Sequence, residues 1–397
     1  MIKRYFDQLT RQDLNALFQG AMFMTEQAAG SDVGAIGTTA RLAGGDWRLY
    51  GDKWFCSNPD AALAMVLARP RRRRWRDQGT VPYLLPRTLP DGSRNAYRIL
   101  RLEDKLGSRS MASGEITLEG ATAYLIGDHG QGFKQMTDMI NMSRLANGVR
   151  SAGMMRRSVN EAIFIARNRE SFGRRLIDLP LMKRQIAKIL TTAEQGRSIV
   201  FHTARVLAAA DGGDAARAKV LRIMTPLVKF RTCPDARKVA GDAMEVWGGC
   251  GYIEEWSDAR VLRDAHLGSI WEGTSNIVAL DVARAVRRED ALSVLDAYVR
   301  GLGAETADAL GPQPAITDAS RRAADLLGAV ANDRAREAET LQAASAVYNA
   351  TSSAANCNGA AMKAKAKTTA VIPRGSDLDM KWFPLNRCWL ILVVAAL

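Results

Sequence analysis

The sequence predicts an α+β protein, a mostly antiparallel β-domain followed by an α-helical bundle. Two observations carry this. Short runs with alternating apolar residues, punctuated by glycine, extend from about Ala21 to Tyr124, and apolar residues recur at helical spacing from Met155 onward. The change between them falls at Gly127, Gly130 and Gly132. At 397 residues and 47% hydrophobic content, the chain has material for two or three domains with sizeable cores. The expected layout is residues 1–21 as a segment too short for a domain, 22–126 as the β-domain and 127–300 as the bundle. A helical extension over 301–345 and a poorly ordered tail over 346–397 complete it.

Within the β-domain, Met22 to Met24 starts as a strand and runs into a small polar loop, Thr25 to Asp32, which offers backbone N–H groups and the hydroxyls of Thr25 and Ser31 to a planar polar ligand. Trp47 and Leu49 alternate with Arg48 and Tyr50, Leu63 to Leu67 is a buried-strand candidate, and Ile116 and Leu118 alternate with Glu115 and Thr117. Lys53-Trp54-Phe55-Cys56-Ser57-Asn58 reads as strand, which puts Phe55 and Ser57 on one face, either flanking a flat ring or as core and edge. Arg71-Arg72-Arg73-Arg74-Trp75-Arg76 is a loop between strands, either a grip for phosphates and bases or a solvated hairpin tip.

The glycines after Leu125 are no dinucleotide fingerprint, because no βαβ pattern follows them. Met155, Val159, Ile163 and Ala166 then mark one helix, which Arg169 to Arg175 ends, with Gly173 as a C-terminal stop. The arginines there suit a pyrophosphate or simply the helix dipole. Further helices are expected from about Ala215 to Trp247 and from about Ser275 to Arg287. Gly248, Gly249 and Gly251 close the former and permit close backbone approach to a ligand, or merely a tight turn.

The stretch Ser269-Ile270-Trp271-Glu272-Gly273-Thr274-Ser275-Asn276 sets a carboxylate between apolar residues and a small, backbone-exposing turn. Partial desolvation would raise the carboxyl pKa of Glu272 and make its ionised form a stronger base. The same residues also read as the first turn of an ordinary helix, with Thr274 or Ser275 as a cap.

Charge and cysteine usage narrow the partners. Lys plus Arg number 55 against 42 Asp plus Glu, a net +13 that favours polyanions: nucleic acid, phosphorylated cofactors or anionic lipid. Five scattered cysteines without a C-x-x-C pair, and three histidines, argue against a metal site or a disulfide framework. Met1 to Phe6 is no signal peptide and the apolar run Cys388 to Leu397 is too short to span a bilayer, so a cytoplasmic location is expected.

Taken in order over about residues 21 to 290, these stretches resemble the acyl-CoA dehydrogenase family. Met24 to Asp32 resembles its first flavin-binding signature and Phe55-Cys56-Ser57 its second. Arg169 to Gly173 resembles its Arg-x-x-Phe-Gly motif, Gly248 to Tyr252 its Gly-Gly-x-Gly-Tyr segment and Glu272 to Ser275 its Glu-Gly-Thr-Ser segment. Pro90 to Ala96, Asp104 to Ser110 and Ser269 to Gly273 are most similar to the alkylation-response, AidB-like branch. The resemblance implies an acyl-CoA dehydrogenase-like fold with the antiparallel β-domain as a barrel or sandwich before the helical bundle, FAD as cofactor, an acyl-CoA as substrate, a homo-oligomer (dimer or tetramer), and Glu272 as the catalytic base. It implies FAD contacts from Met24, Thr25, Ser31, Phe55, Cys56 and Ser57, from Arg169 and Phe172 toward a partner subunit, and from Gly248, Gly249, Thr274 and Asn276. Ser31 and Gly273 would also face the substrate. Glu245 stands where the family usually has glutamine. Two alternatives follow from the same likeness: a DNA-associated alkylation-response flavoprotein, or an inactive relative in which residues 1–21 are the remnant of the family's N-terminal helical domain.

Overall fold

The computed structural model describes residues 2–71, 79–127 and 132–369. Most of the basic cluster, Arg72 to Arg76, and the apolar run from Cys388 to Leu397 lie outside the described residues. The chain divides into two compact units, one ending at Ser143 and the other beginning at Arg144.

The first unit opens with α1 (Ile2–Leu9), whose Tyr5 and Leu9 pack on Leu63 and Leu84. Seven strands follow: β1 (Gly20–Phe23), β2 (Thr39–Ala43), β3 (Asp46–Ser57), β4 (Leu63–Pro70), β5 (Val81–Pro86), β6 (Tyr97–Leu102) and β7 (Ser113–Leu125). The strand β4 pairs with β5 along one edge and, along the other, in parallel with β1 and then β2. β7 pairs with β3 along one edge and with β6 and then β5 along the other. The ring β4-β2-β3-β7-β5 therefore closes on itself, flanked by β1 and β6, and all pairings except the two parallel ones of β4 are antiparallel. Closure leaves no free edge on the ring itself, and the ring encloses Leu49, Val66, Tyr83, Leu85, Ile116 and Leu118.

Helix α2 (Gly132–Asn168) begins in the first unit, where Met136 and Met139 pack with Met65 and Leu67, and continues into the second. A short hairpin of β8 (Glu170–Ser171) and β9 (Arg174–Arg175) follows, with Phe172 and Gly173 as its two-residue turn. Both turn residues have positive φ, 53° and 68°, as a type I′ hairpin turn requires, so Gly173 closes a hairpin rather than capping α2.

The remaining helices are α3 (Pro180–Asp211), α4 (Ala215–Trp247), α5 (Ser257–Leu267), α6 (Ser275–Glu289), α7 (Ala291–Leu310), α8 (Pro314–Asn332) and α9 (Thr340–Thr369). α4 is central, packing against α3, α5, α6, α7 and α9, and the consecutive residues Ile223 to Phe230 are all buried. α9 corrects the expectation of a poorly ordered tail from residue 346, at least as far as Thr369: Val347, Tyr348, Ala354, Ala355 and Asn358 are buried. Its alanines and serines form a close-packing face against α3, α7 and α8. No helix among the described residues is long and apolar enough to cross a membrane.

Candidate active site

In the second unit Glu272 stands before α6, which begins only at Ser275, so the carboxylate is not in a helical first turn. Its backbone is left-handed, φ 55°, and Gly273 follows at φ 99°. Such a conformation is uncommon away from glycine and persists only when the surroundings impose it. Two buried cations do so. Arg144 of α2 donates through Nε to the Glu272 carbonyl at 3.3 Å, and Lys229 of α4 donates through Nζ to the Gly273 carbonyl.

Arg144 is fixed in turn by a carboxylate. Arg144 and Asp281 form an ion pair of 2.5 Å with side chains 8% and 7% exposed, and Arg222 reaches the other oxygen of Asp281 at 2.9 Å. Burial pushes the Asp281 carboxyl up, but the guanidinium groups of Arg222 and Arg144 outweigh it and hold the group below the usual carboxylate range. Among the described residues, no carboxylate forms an ion pair with Lys229. Burial draws its ammonium down to about 8, against the opposing pull of Cys233 and Glu272.

The Glu272 side chain is half-buried, and its Oε2 accepts a hydrogen bond from Asn147 Nδ2 at 2.5 Å. Asn147 Oδ1 accepts from the Trp271 indole at 2.6 Å. Arg150, bonded to the Asp264 carbonyl at 2.6 Å, lies with its guanidinium 5.6 Å from the centre of the Trp271 ring. Thr274 occupies the N-cap position of α6 but makes no side-chain cap bond, and Asn276 is exposed in the first turn. The arrangement presents a carboxylate on a rigid turn, a carbonyl-clamped glycine beside it, and polar side chains just beyond.

Elsewhere in this unit, Arg169 donates to the Trp247 carbonyl at 3.0 Å and lies over Gly248. Gly248 has φ 67° and ψ −143°, and a Cβ there would sit 3.2 Å from Arg169 Nη1. A guanidinium beside bare, exposed backbone at Gly248 and Gly249 fits a pyrophosphate. Phe172, at the hairpin tip, is 91% exposed. Glu245 accepts from Gln185 at 3.1 Å.

In the first unit, a bulge between Lys53 and Cys56 interrupts the alternation of β3. Phe55 sits in it with φ 53°, 53% exposed, its ring stacked on Trp54 at 4.4 Å. The Trp54 N–H donates to the Thr25 carbonyl at 2.8 Å, which brings the loop from Met24 to Asp32 against the bulge. Glu26 fastens that loop further. Its carboxylate accepts from Lys53 Nζ at 2.6 Å, Thr38 Oγ1 at 2.5 Å, Thr38 N at 3.1 Å and Gly37 N at 2.5 Å. Lys53 also donates to the Met24 carbonyl at 3.3 Å. An exposed aromatic face next to the half-buried hydroxyl residues Thr25 and Ser57 fits a flat ring with polar edges. Ser31 is exposed, whereas Met24 turns toward a methionine-lined cavity with Met22, Met65, Met136 and Met139. The Cys56 side chain is fully buried in the barrel, where desolvation pushes its thiol up, so only its backbone remains for a ligand.

Sequence reasoning missed Glu26 and Lys53 in the first unit, and Arg144, Asn147, Lys229 and Asp281 in the second. The available signal was charge inside an apolar stretch: Lys229 interrupts Leu227-Val228 and Phe230, and Asp281 falls among Val278, Ala279 and Val282.

Comparison with known proteins gives the family. The chain matches the acyl-CoA dehydrogenase middle domain over residues 21–121 and the acyl-CoA dehydrogenase C-terminal domain over residues 130–287. It is 39% identical over 285 residues to AidB of Escherichia coli (strain K12), covering 70% of this chain and 51% of that protein. It is 30% identical over 291 residues to the cyclohexane-1-carbonyl-CoA dehydrogenase of Syntrophus aciditrophicus (strain SB), covering 72% of each. The crystal structure of Caenorhabditis elegans ACDH-11 in complex with C11-CoA is similar with a TM-score of 0.83 and 27% identity, over 98% of this chain and 66% of that one. The chain thus spans about half the length of AidB and about two thirds of ACDH-11. On the two matched domains and these identities, the chain belongs to the acyl-CoA dehydrogenase family.

Proposed function

We propose that the chain is an FAD-dependent acyl-CoA dehydrogenase that oxidises the α,β-bond of an acyl-CoA thioester, with Glu272 as the base. The observation that carries this reading is the Glu272 carboxylate on a turn whose two carbonyls are clamped by Arg144 and Lys229. An α-proton of a thioester is weakly acidic, so the base must be ionised and rigidly placed. Glu272 would take that proton on its carboxylate, while its own backbone N–H is the candidate donor to the thioester oxygen as negative charge builds there. FAD, when bound, supplies the acceptor for the hydride leaving the β-carbon. Phe55, Thr25, Ser31 and Ser57, with the backbone of Met24 and Cys56, would hold its ring. Arg169, Phe172 and the backbone of Gly248 and Gly249 would hold the phosphates of a partner subunit's FAD in a homo-oligomer, and Thr274 and Asn276 would hold FAD beside the base. Ser31 and Gly273 would also face the thioester.

The test is the flavin spectrum of purified protein during anaerobic addition of thioesters, beginning with C11-CoA, bound in the Caenorhabditis elegans structure, and cyclohexane-1-carbonyl-CoA, after which the Syntrophus aciditrophicus dehydrogenase is named. Bleaching of the flavin band supports the reading. Glu272→Gln should retain FAD and lose turnover by roughly 10²- to 10⁴-fold; unchanged turnover removes Glu272 as the base. A second reading, DNA association, is favoured by the +13 net charge. It requires affinity for duplex DNA that falls steeply as salt rises, and salt-insensitive binding would refute it.

A further inference from the structure

We propose that Asn147 is a positioning residue for the base, holding the Glu272 carboxylate in one orientation through a relay that begins at the Trp271 indole. The proposal rests on Glu272 being the base and adds a residue to that site.

The polarity of the relay is fixed by chemistry. An indole N–H can only donate, so the Asn147 atom 2.6 Å from Trp271 Nε1 must be the amide oxygen. The amide NH₂ therefore points at Glu272, whose Oε2 is an acceptor when ionised and lies 2.5 Å away. Trp271 and Glu272 are consecutive, while Asn147 comes from α2, so one side chain ties the loop to the helix at two adjacent residues. A donor aimed at the charged form stabilises that form and restricts the carboxylate to the rotamer that meets it.

The charged and titratable groups around Glu272 set the background against which Asn147 acts. From α2 these are Arg144, bonded to the Glu272 carbonyl, and Arg150, whose guanidinium lies by the Trp271 ring. From α4 they are Lys229, on the Gly273 carbonyl, and Cys233. From α6, Asp281 neutralises part of Arg144. Arg144 and Lys229 address the backbone of the turn. Asn147 addresses the carboxylate itself, and it can be altered without removing either clamp.

Asn147→Asp is the sharper variant, because it is nearly isosteric, keeps an oxygen for the indole and replaces the donor by a second acid. Asn147→Leu removes both bonds and serves as the check. The 397-residue chain, labelled with 5-fluorotryptophan, is titrated by ¹⁹F NMR without added FAD, and the Trp271 resonance is identified by its loss in Trp271→Phe. With Asn147 in place the Trp271 resonance should titrate with Glu272, and this step should vanish in Glu272→Gln. In Asn147→Asp it should move up by about one to two pH units, the loss expected when a hydrogen bond to a charged group is replaced by repulsion. In Asn147→Leu the step should disappear.

In FAD-loaded protein the acid limb of kcat/KM should move up with it in Asn147→Asp. At pH 7 kcat should fall roughly 10- to 100-fold in either variant, with KM little changed. A Trp271 resonance that does not titrate in the parent protein overturns the relay. So does an acid limb that stays in place in Asn147→Asp. If no thioester is turned over at all, the functional reading fails, while the fluorine titration still decides whether Asn147 couples Trp271 to Glu272.

Discussion

Replacing Lys53 with methionine isolates the contact that joins the two segments expected to hold the flavin ring. The Lys53 side chain is 0% exposed and that of Glu26 11%, with Nζ and Oε1 2.6 Å apart. Removing one partner of a buried ion pair costs about 3–5 kcal/mol, because the other charge stays buried. Glu26 keeps three other donors, Gly37 N, Thr38 N and Thr38 Oγ1, so the lower end, about 3 kcal/mol, is the expected loss. For a unit of this size that lowers the melting temperature by about 10 °C. Calorimetry at pH 7 reads it directly. Glu26→Gln combined with Lys53→Met should recover part of the loss, since no charge is then stranded. The pair also has an acid signature. Burial raises the Glu26 carboxyl, but the bonds from Lys53 and Thr38 outweigh it, so its folded pKa lies below the ordinary glutamate value of 4.5. Its contribution is therefore complete above that value and is lost as pH falls through the depressed folded pKa, and Lys53→Met should weaken this acid dependence. A Lys53→Met protein as stable as its parent, or a double variant no better than the single one, would refute the reasoning.

Two further substitutions probe the helical unit. Lys229 binds its proton less tightly when folded, about 8 against 10.5, so the unfolded chain holds more protons in between and stability should rise with pH across that window, by at most about 3 kcal/mol. Urea midpoints for the parent and Lys229→Met should diverge between those pH values, and parallel curves would show that Lys229 is not buried as described. Gly251→Ala would place a Cβ 2.4 Å from the Met244 carbonyl oxygen, a backbone atom that cannot swing away. It should cost about 1–3 kcal/mol and loosen the turn that carries Gly248 and Gly249, read as a lower urea midpoint with weakened FAD affinity; a variant with the parent's midpoint would contradict the close approach.

How legible each feature was depended on how local its cause is. The strands around Trp47 and Ile116 follow from alternation within a few residues, and α4 from an apolar pattern. The Glu26–Lys53 pair joins residues 27 apart and the Asn147–Glu272 bond residues 125 apart, and no local pattern announces either. α9 was hidden for a different reason: alanine and serine carry little hydropathy, and only neighbouring helices reveal that their smallness is a packing surface. The hairpin at Phe172 was hidden because sequence rules look for glycine or asparagine where φ is positive. Among the described residues, six other than glycine have positive φ, and Phe55, Phe172 and Glu272 each fall in one of the motifs expected to form the site. Such a backbone costs about 1–3 kcal/mol per residue and survives only if neighbours impose it. Glu272 is imposed by Arg144 and Lys229, Phe55 by the bulge and the Trp54–Thr25 bond, Phe172 by its hairpin ladder. Stability alone would favour glycine at these three positions, so an aromatic ring or a carboxylate there argues that the side chain itself is what the position is for.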